Sequence, residues 1–148
     1  MKEIEREIYS TFSNIASSIG YSEIHGRIIA TLLVKGKKLP LQELAKETGY
    51  STSTISLSLD LLEVLGMIKK IKKAGDRKLY VEIQGDLLEG LKKAFLIRIQ
   101  KSVDDTLEQF KKYKKVKDKN VINTLNILEK EVKRINKYIN LLSKLKLP

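Results

Sequence analysis

Gly49 limits the fold of this chain more than any other residue, because two helical patterns meet on either side of it with almost no slack between them. Upstream, Pro40 suits the first turn of a short helix, LQELAKETG, and a terminal Gly closes such a helix in the left-handed conformation. Downstream, Ser51 is a competent N-cap and Gly66 a competent terminator. The stretch YSTSTISLSL between them alternates hydroxyl and apolar side chains, as a half-buried strand would, but the alternation breaks at Leu61-Leu62. At about 100° per residue, Leu57, Leu61, Leu65, Leu62, Ile55 and Leu59 share one broad arc, and Thr52, Ser56, Glu63, Asp60 and Ser53 take the other. The spacing predicts a helix over 51–65, despite the poor helix propensity of Thr52, Thr54 and Ile55.

Two helices are expected before this pair. Ile4, Ile8, Phe12, Ile15 and Ile19 recur at spacings of three and four, which predicts an amphipathic helix over 3–19 stopped by Gly20. Ser22 then caps a helix carrying Ile24, Ile28, Ile29, Leu32 and Leu33 that ends near Lys35-Gly36. Gly26 inside it costs about 1 kcal/mol relative to Ala, a cost that a close backbone approach would justify. After Gly66, MIKKIKK and KLYVEIQ are β-patterned runs joined by a Gly75-Asp76 turn, hence a hairpin over 67–83 whose lysine-rich first strand belongs at an edge or against a polyanion.

From Asp86 onward the pattern is helical. Leu88, Leu91, Phe95, Ile99, Val103, Leu107 and Phe110 define one helix, which fades in KKYKKVKDK. In the last helix Val121, Leu125, Leu128, Val132, Ile135, Ile139 and Leu142 keep a heptad rhythm. That seam can close on the preceding helix or on another chain. The boundary between the two parts is placed at Gly85-Asp86, giving segments 1–85 and 86–148.

Charge narrows the function. The net charge of +11 favours polyanionic partners. Residues 1–85 hold thirteen Lys/Arg against ten Asp/Glu, whereas Gly66–Tyr80 alone holds six against one. KKYKKVKDK is a second cationic run, read as a solvated helix end ahead of a nucleic-acid patch. No Cys is present, so disulfides and thiolate chemistry are excluded, and the lone His25 has no partner for catalysis. No P-loop, HExxH or GxGxxG spacing occurs, no carboxylate pair converges, and no metal or cofactor is expected. The charged N-terminus and the lack of a long apolar run point to a cytoplasmic protein that does not enter a membrane.

The order helix, helix, short helix, tight turn, helix, basic hairpin is that of a winged helix-turn-helix. Ala45, Gly49 and Ile55 occupy the small, turn and anchor positions that such a pair of crossing helices requires. The fold class expected is mainly α with a small β-hairpin wing, carrying long C-terminal helices. The run ELAKETGYSTSTISLSLDLLEVLGMIKKIKKAGDRKLYVEI resembles the winged-helix core of the MarR superfamily. Upstream, IGYSEIHGRIIATLLVKGKKLPLQELA is similar to the GbsR-type branch through Gly26-Arg27-Ile28.

The resemblance implies a homodimeric regulator of transcription that binds double-stranded DNA. The terminal helices would form the dimer interface, with the first helix (1–19) as a further contributor, and a small-molecule effector is of unknown identity. By that resemblance Ser51, Thr52, Ser53, Thr54 and Ser56 would face the major groove, with Lys72, Lys73, Arg77 and Lys78 on the backbone or minor groove and Asp76 orienting Arg77. Leu125, Leu128, Val132, Ile135, Ile139 and Leu142 would serve dimerisation. Relatives often carry Arg where this chain has Thr52 and Leu57, so weak direct base readout is expected. Leu57, at the border of the apolar arc, is assigned to the core ahead of contact with a thymine methyl. The competing reading is a protein-interaction or non-specific nucleic-acid-binding module that uses the C-terminal seam.

Overall fold

The computed structural model describes residues 1–148 as six helices and three short strands. Backbone packing divides them into two compact units, Met1–Leu91 and Lys92–Pro148. The first unit holds α1 (Lys2–Ser18), α2 (Glu23–Val34), β1 (Lys38–Pro40), α3 (Leu41–Thr48), α4 (Thr52–Val64), β2 (Ile68–Lys72) and β3 (Leu79–Ile83). The second consists of most of α5 (Leu87–Tyr113) and all of α6 (Lys119–Lys144). No helix is long and apolar enough to cross a membrane.

The core of the first unit is built where the helical and strand periodicities meet. Ile28, Leu32, Leu44, Ile55 and Leu59 are fully enclosed, together with Ile68 and Val81 from the sheet. Each such side chain contributes about 1.5–3 kcal/mol on burial. The sheet has the order β1-β3-β2, all antiparallel, with Leu39 opposite Val81 and Ile68 opposite Ile83. The lysine-rich β2 is thus an edge strand, as its composition suggests. β1 was not expected: Pro40 ends a three-residue strand and is the N-cap of α3 rather than its first turn. Pro is tolerated there because β1 is itself an edge.

Two faces differ from expectation. In α1 the buried residues are Tyr9, Ser13 and Ala16, while Ile4 and Ile15 stand 61% and 41% exposed. The reason is the crossing with α2: Gly26 lies against the backbone of Phe12 and Ser13, so the face of α1 that carries Tyr9, Ser13 and Ala16 is turned inward and Ile4 and Ile15 are turned aside. Arg27 sits over the Tyr9 ring at 5.7 Å, a cation–π contact that helps hold the same crossing. In α4 the chain buries Ile55, Ser58, Leu59 and Leu62 and leaves Leu57 77% exposed, which overturns its assignment to the core. The helix buries only the arc around Leu62, narrower than its run of leucines, and Leu57 projects almost opposite Ile55. Ser58 satisfies its hydroxyl by donating to the Thr54 carbonyl at 3.1 Å.

Helices α5 and α6 form an antiparallel hairpin. Lys92 Nζ donates to the Leu145 carbonyl at 2.9 Å, Gln100 Nε2 to Asn136 Oδ1 at 2.8 Å, and Lys114 pairs with Glu129 near the hairpin's closed end. Asp118 caps α6 by accepting from the Asn120 and Val121 amides.

Candidate nucleic-acid interface

The joint between α3 and α4 positions the first part of the site. Gly49 takes φ 80°, ψ 6°, and its N–H donates to the Ala45 carbonyl, which closes α3 and redirects the chain within three residues. Ser51 then caps α4, its Oγ accepting from the Thr54 amide at 3.2 Å and lying 2.7 Å from Thr54 Oγ1 and 3.2 Å from Ser53 Oγ. Ser51, Thr52, Ser53 and Thr54 are exposed and Ser56 is half-buried, so all five expected residues are on the start of one helix. The first turn has no acidic residue. Such a surface offers hydroxyl donors and acceptors beside the positive end of a helix dipole, which suits phosphate oxygens and base edges. Leu57, exposed one turn further on, adds an apolar contact to that surface.

The hairpin supplies the charge. Its inner cations are neutralised, Lys70 by Asp60 of α4 at 2.5 Å and Lys69 by Glu82 at 3.5 Å. The bond to Asp60 raises the Lys70 pKa above its ordinary value. Lys72, Arg77 and Lys78, nearer the turn, are exposed and have no carboxylate within ion-pair distance. Asp76 does not touch Arg77 directly. Its carboxylate accepts from the Lys78 amide at 2.9 Å and from Tyr80 Oη at 3.4 Å, so it shapes the turn that carries Arg77. Tyr80 is a residue that sequence reasoning missed: Lys38 and Lys73 lie over its ring at 5.3 and 5.4 Å. The signal was hidden because Lys38 reaches Tyr80 through the pairing of β1 with β3, a three-residue register that no local pattern announces.

These elements have a counterpart among solved structures. A crystal structure of a transcriptional regulator superposes with a TM-score of 0.67 at 17% identity, over 95% of this chain and 96% of that one. The chain has the winged-helix fold. AbsC, a MarR family transcriptional regulator from Streptomyces coelicolor, aligns over 93% of this chain and 88% of its own at 17% identity, with a TM-score of 0.46. A MepR mutant of S. aureus bound to an oligodeoxyribonucleotide aligns over 90% and 94% at 18% identity, also with a TM-score of 0.46. No family model and no curated protein matches the chain.

In winged-helix terms, α4 is the second helix of the pair and β2–β3 is the wing, so Asp60–Lys70 ties one to the other. The C-terminal seam resolves into two faces. Leu125 and Ile139 are buried and Val132 and Leu142 half-buried, whereas Leu128 and Ile135 stand 45% and 49% exposed. Tyr138, Leu141 and Leu145, each more than 60% exposed, extend the outer face. His25 is half-buried, its Nδ1 3.2 Å from the Ser22 carbonyl and its ring edge-on to Tyr21; burial holds its pKa below the ordinary value, against a smaller opposing effect of the Ser22 contact.

Proposed function

We propose that the protein is a homodimeric, sequence-selective regulator of transcription that binds double-stranded DNA, a member of the MarR superfamily with a GbsR-like second helix. The helix at 51–65 enters the major groove, and the wing at 67–83 lies on the backbone or minor groove. Residues 1–85 form the DNA-binding domain and 86–148 the dimerisation region. One observation carries this reading: the wing cations left without acidic partners, Lys72, Lys73, Arg77 and Lys78, are those at the turn, beside an acid-free helix start whose hydroxyls are exposed. Cations spent on structure would be paired, as Lys69 and Lys70 are. The outer apolar face of α6 supports a second copy as its partner, since an exposed heptad stripe has a large favourable burial still to gain.

Ser51, Thr52, Ser53, Thr54 and Ser56 read bases weakly, because single hydroxyls discriminate less than a bidentate arginine. Affinity then comes chiefly from phosphates and falls steeply with salt. Selection of bound duplexes from a random pool tests this. A consensus made of two half-sites about 34 Å apart supports the proposal. Retention without a consensus indicates non-specific binding, and no retention at moderate salt indicates a protein-interaction module.

A further inference from the structure

We propose that Lys38, outside the wing's own sequence, is a further DNA-contacting cation, and that Tyr80 is the positioning residue that holds it beside Lys73 against the phosphate backbone. The proposal rests on the reading of the wing as a DNA contact, and it extends that contact to β1.

The register of the sheet brings the three side chains together. Pro40 and Ile71 stand opposite Tyr80, and Lys38 and Lys69 opposite Glu82. Side chains alternate along a strand, so these residues share one face of the sheet. Leu39, Ile68 and Val81 take the other face and are buried, which turns the Tyr80 face away from the core.

Lys38 has a carboxylate across from it in Glu82, but that charge is taken by Lys69 at 3.5 Å. The Lys38 ammonium lies instead 5.3 Å from the centroid of the Tyr80 ring, and that of Lys73, from the hairpin turn, lies 5.4 Å from it. One ring thus gathers two cations from separate segments, and neither has a carboxylate within ion-pair distance. The acid on the same ring, Asp76, accepts from Tyr80 Oη at 3.4 Å and from the Lys78 amide at 2.9 Å, and pairs with neither lysine.

Two like charges drawn to one ring repel each other. The ring quadrupole offsets this only in part, because a cation–π contact near the surface is weak. An anion that meets both ammonium groups removes the rest, and a DNA strand supplies such anions at regular intervals. The ring contributes orientation: two long side chains are held before DNA arrives, so less rotamer freedom is lost on binding.

The test is binding of the full chain, at several salt concentrations, to a labelled mixed-sequence duplex of about 30 base pairs, which spans two half-sites one turn apart. Lys38→Gln should weaken binding about five- to tenfold at about 0.1 M salt and reduce the slope of log K against log salt by about 1. Lys69→Gln, on the same face but paired with Glu82, should change neither. Tyr80→Phe keeps the ring and should bind within about twofold of the parent. Tyr80→Leu should weaken binding, and in its background Lys38→Gln should cost no more than about twofold further, the mark of a coupled pair.

If Arg77→Ala weakens binding and Lys38→Gln does not, the wing still contacts DNA and this proposal falls alone. If the parent does not bind the duplex at moderate salt, both fall. A full cost of Lys38→Gln in the Tyr80→Leu background would overturn the role given to the ring. Should Tyr80→Leu fail to fold by circular dichroism, proton NMR of the parent decides: the ε-methylene protons of Lys38 and Lys73 should be shifted upfield by the ring, and unshifted signals would overturn that role.

Discussion

Gly26 lies directly against the carbonyl oxygen of Phe12, so closely that a Cβ at residue 26 would overlap it and the adjoining backbone. This contact sets the α1–α2 crossing, and it explains a glycine in the middle of a helix. In an exposed helix, Gly→Ala stabilises by about 1 kcal/mol. Here the obstacle is backbone, which cannot swing away as a side chain would. Gly26→Ala is expected to cost about 2 kcal/mol net, the scale of an overpacked core. Thermal unfolding followed by circular dichroism checks it: a variant that melts at or above the parent temperature contradicts the role assigned to the crossing.

Leu57 and Ile55 sit two residues apart and should behave oppositely. Ile55 is fully buried, and Ile55→Ala is expected to destabilise by about 2–4 kcal/mol. Leu57 is 77% exposed, and Leu57→Ala should change stability by no more than about 0.5 kcal/mol. If Leu57 meets a thymine methyl, its truncation should relax selectivity at one base position. Denaturant melts and repeated duplex selection separate the two effects, and a large loss of stability in Leu57→Ala would return the residue to the core.

Much of this was legible in the chain itself, and the exceptions share a cause. Helix limits followed from local chemistry: Ser51 as cap, Gly49 and Gly66 as terminators, and the three-and-four spacing of Ile and Leu. Which side of a helix is buried depends on what crosses it. Periodicity therefore identified an apolar stripe on α1, but not that the close approach at Gly26 would bury Ser13 and Ala16 in place of Ile15. The same holds for Leu57 and for the seam of α6, where one heptad pattern serves two faces. At the interface, residue types were readable, but their pairing was not. That Lys69 and Lys70 are neutralised while Lys72, Arg77 and Lys78 are free depends on Glu82 and Asp60, brought in by tertiary contacts.

That pairing separates the wing cations by experiment. Arg77→Ala should lower DNA affinity and reduce the slope of log K against log salt by about 1, the effect of one lost phosphate contact. Lys69→Gln should leave the slope nearly unchanged, because its charge is already matched by Glu82. Binding isotherms at several salt concentrations supply both slopes. Equal changes in the two variants would mean that the wing acts only through its total charge.

The outer face of α6 has its own test. Ile135→Glu combined with Tyr138→Glu puts two carboxylates on positions that are 49% and 62% exposed, so the single chain should remain helical. Sedimentation should then show a monomer where the parent is a dimer. Leu125→Glu, at a position 7% exposed, should instead unfold the hairpin. A double variant that sediments as the parent does would remove this stripe from the dimer interface.

Glu129 makes the hairpin sensitive to acid. Its carboxylate is bonded to Lys114 and Lys133, which together hold its pKa at about 2, against an ordinary value of 4.5. The unfolded chain therefore takes up the proton first as pH falls, and stability falls with it. The contribution is complete above pH 4.5 and is lost progressively down to about pH 2. Other carboxylates titrate in the same range, so the informative quantity is a difference between variants. Glu129→Gln should lower the melting temperature at pH 7, and the gap from the parent should close as the pH approaches 2. Both lysines are solvent-exposed and their attraction for Glu129 should weaken with salt, so the gap at pH 7 should also shrink at high ionic strength. A gap that persists unchanged to pH 2 would show that Glu129 acts through packing and not through its charge.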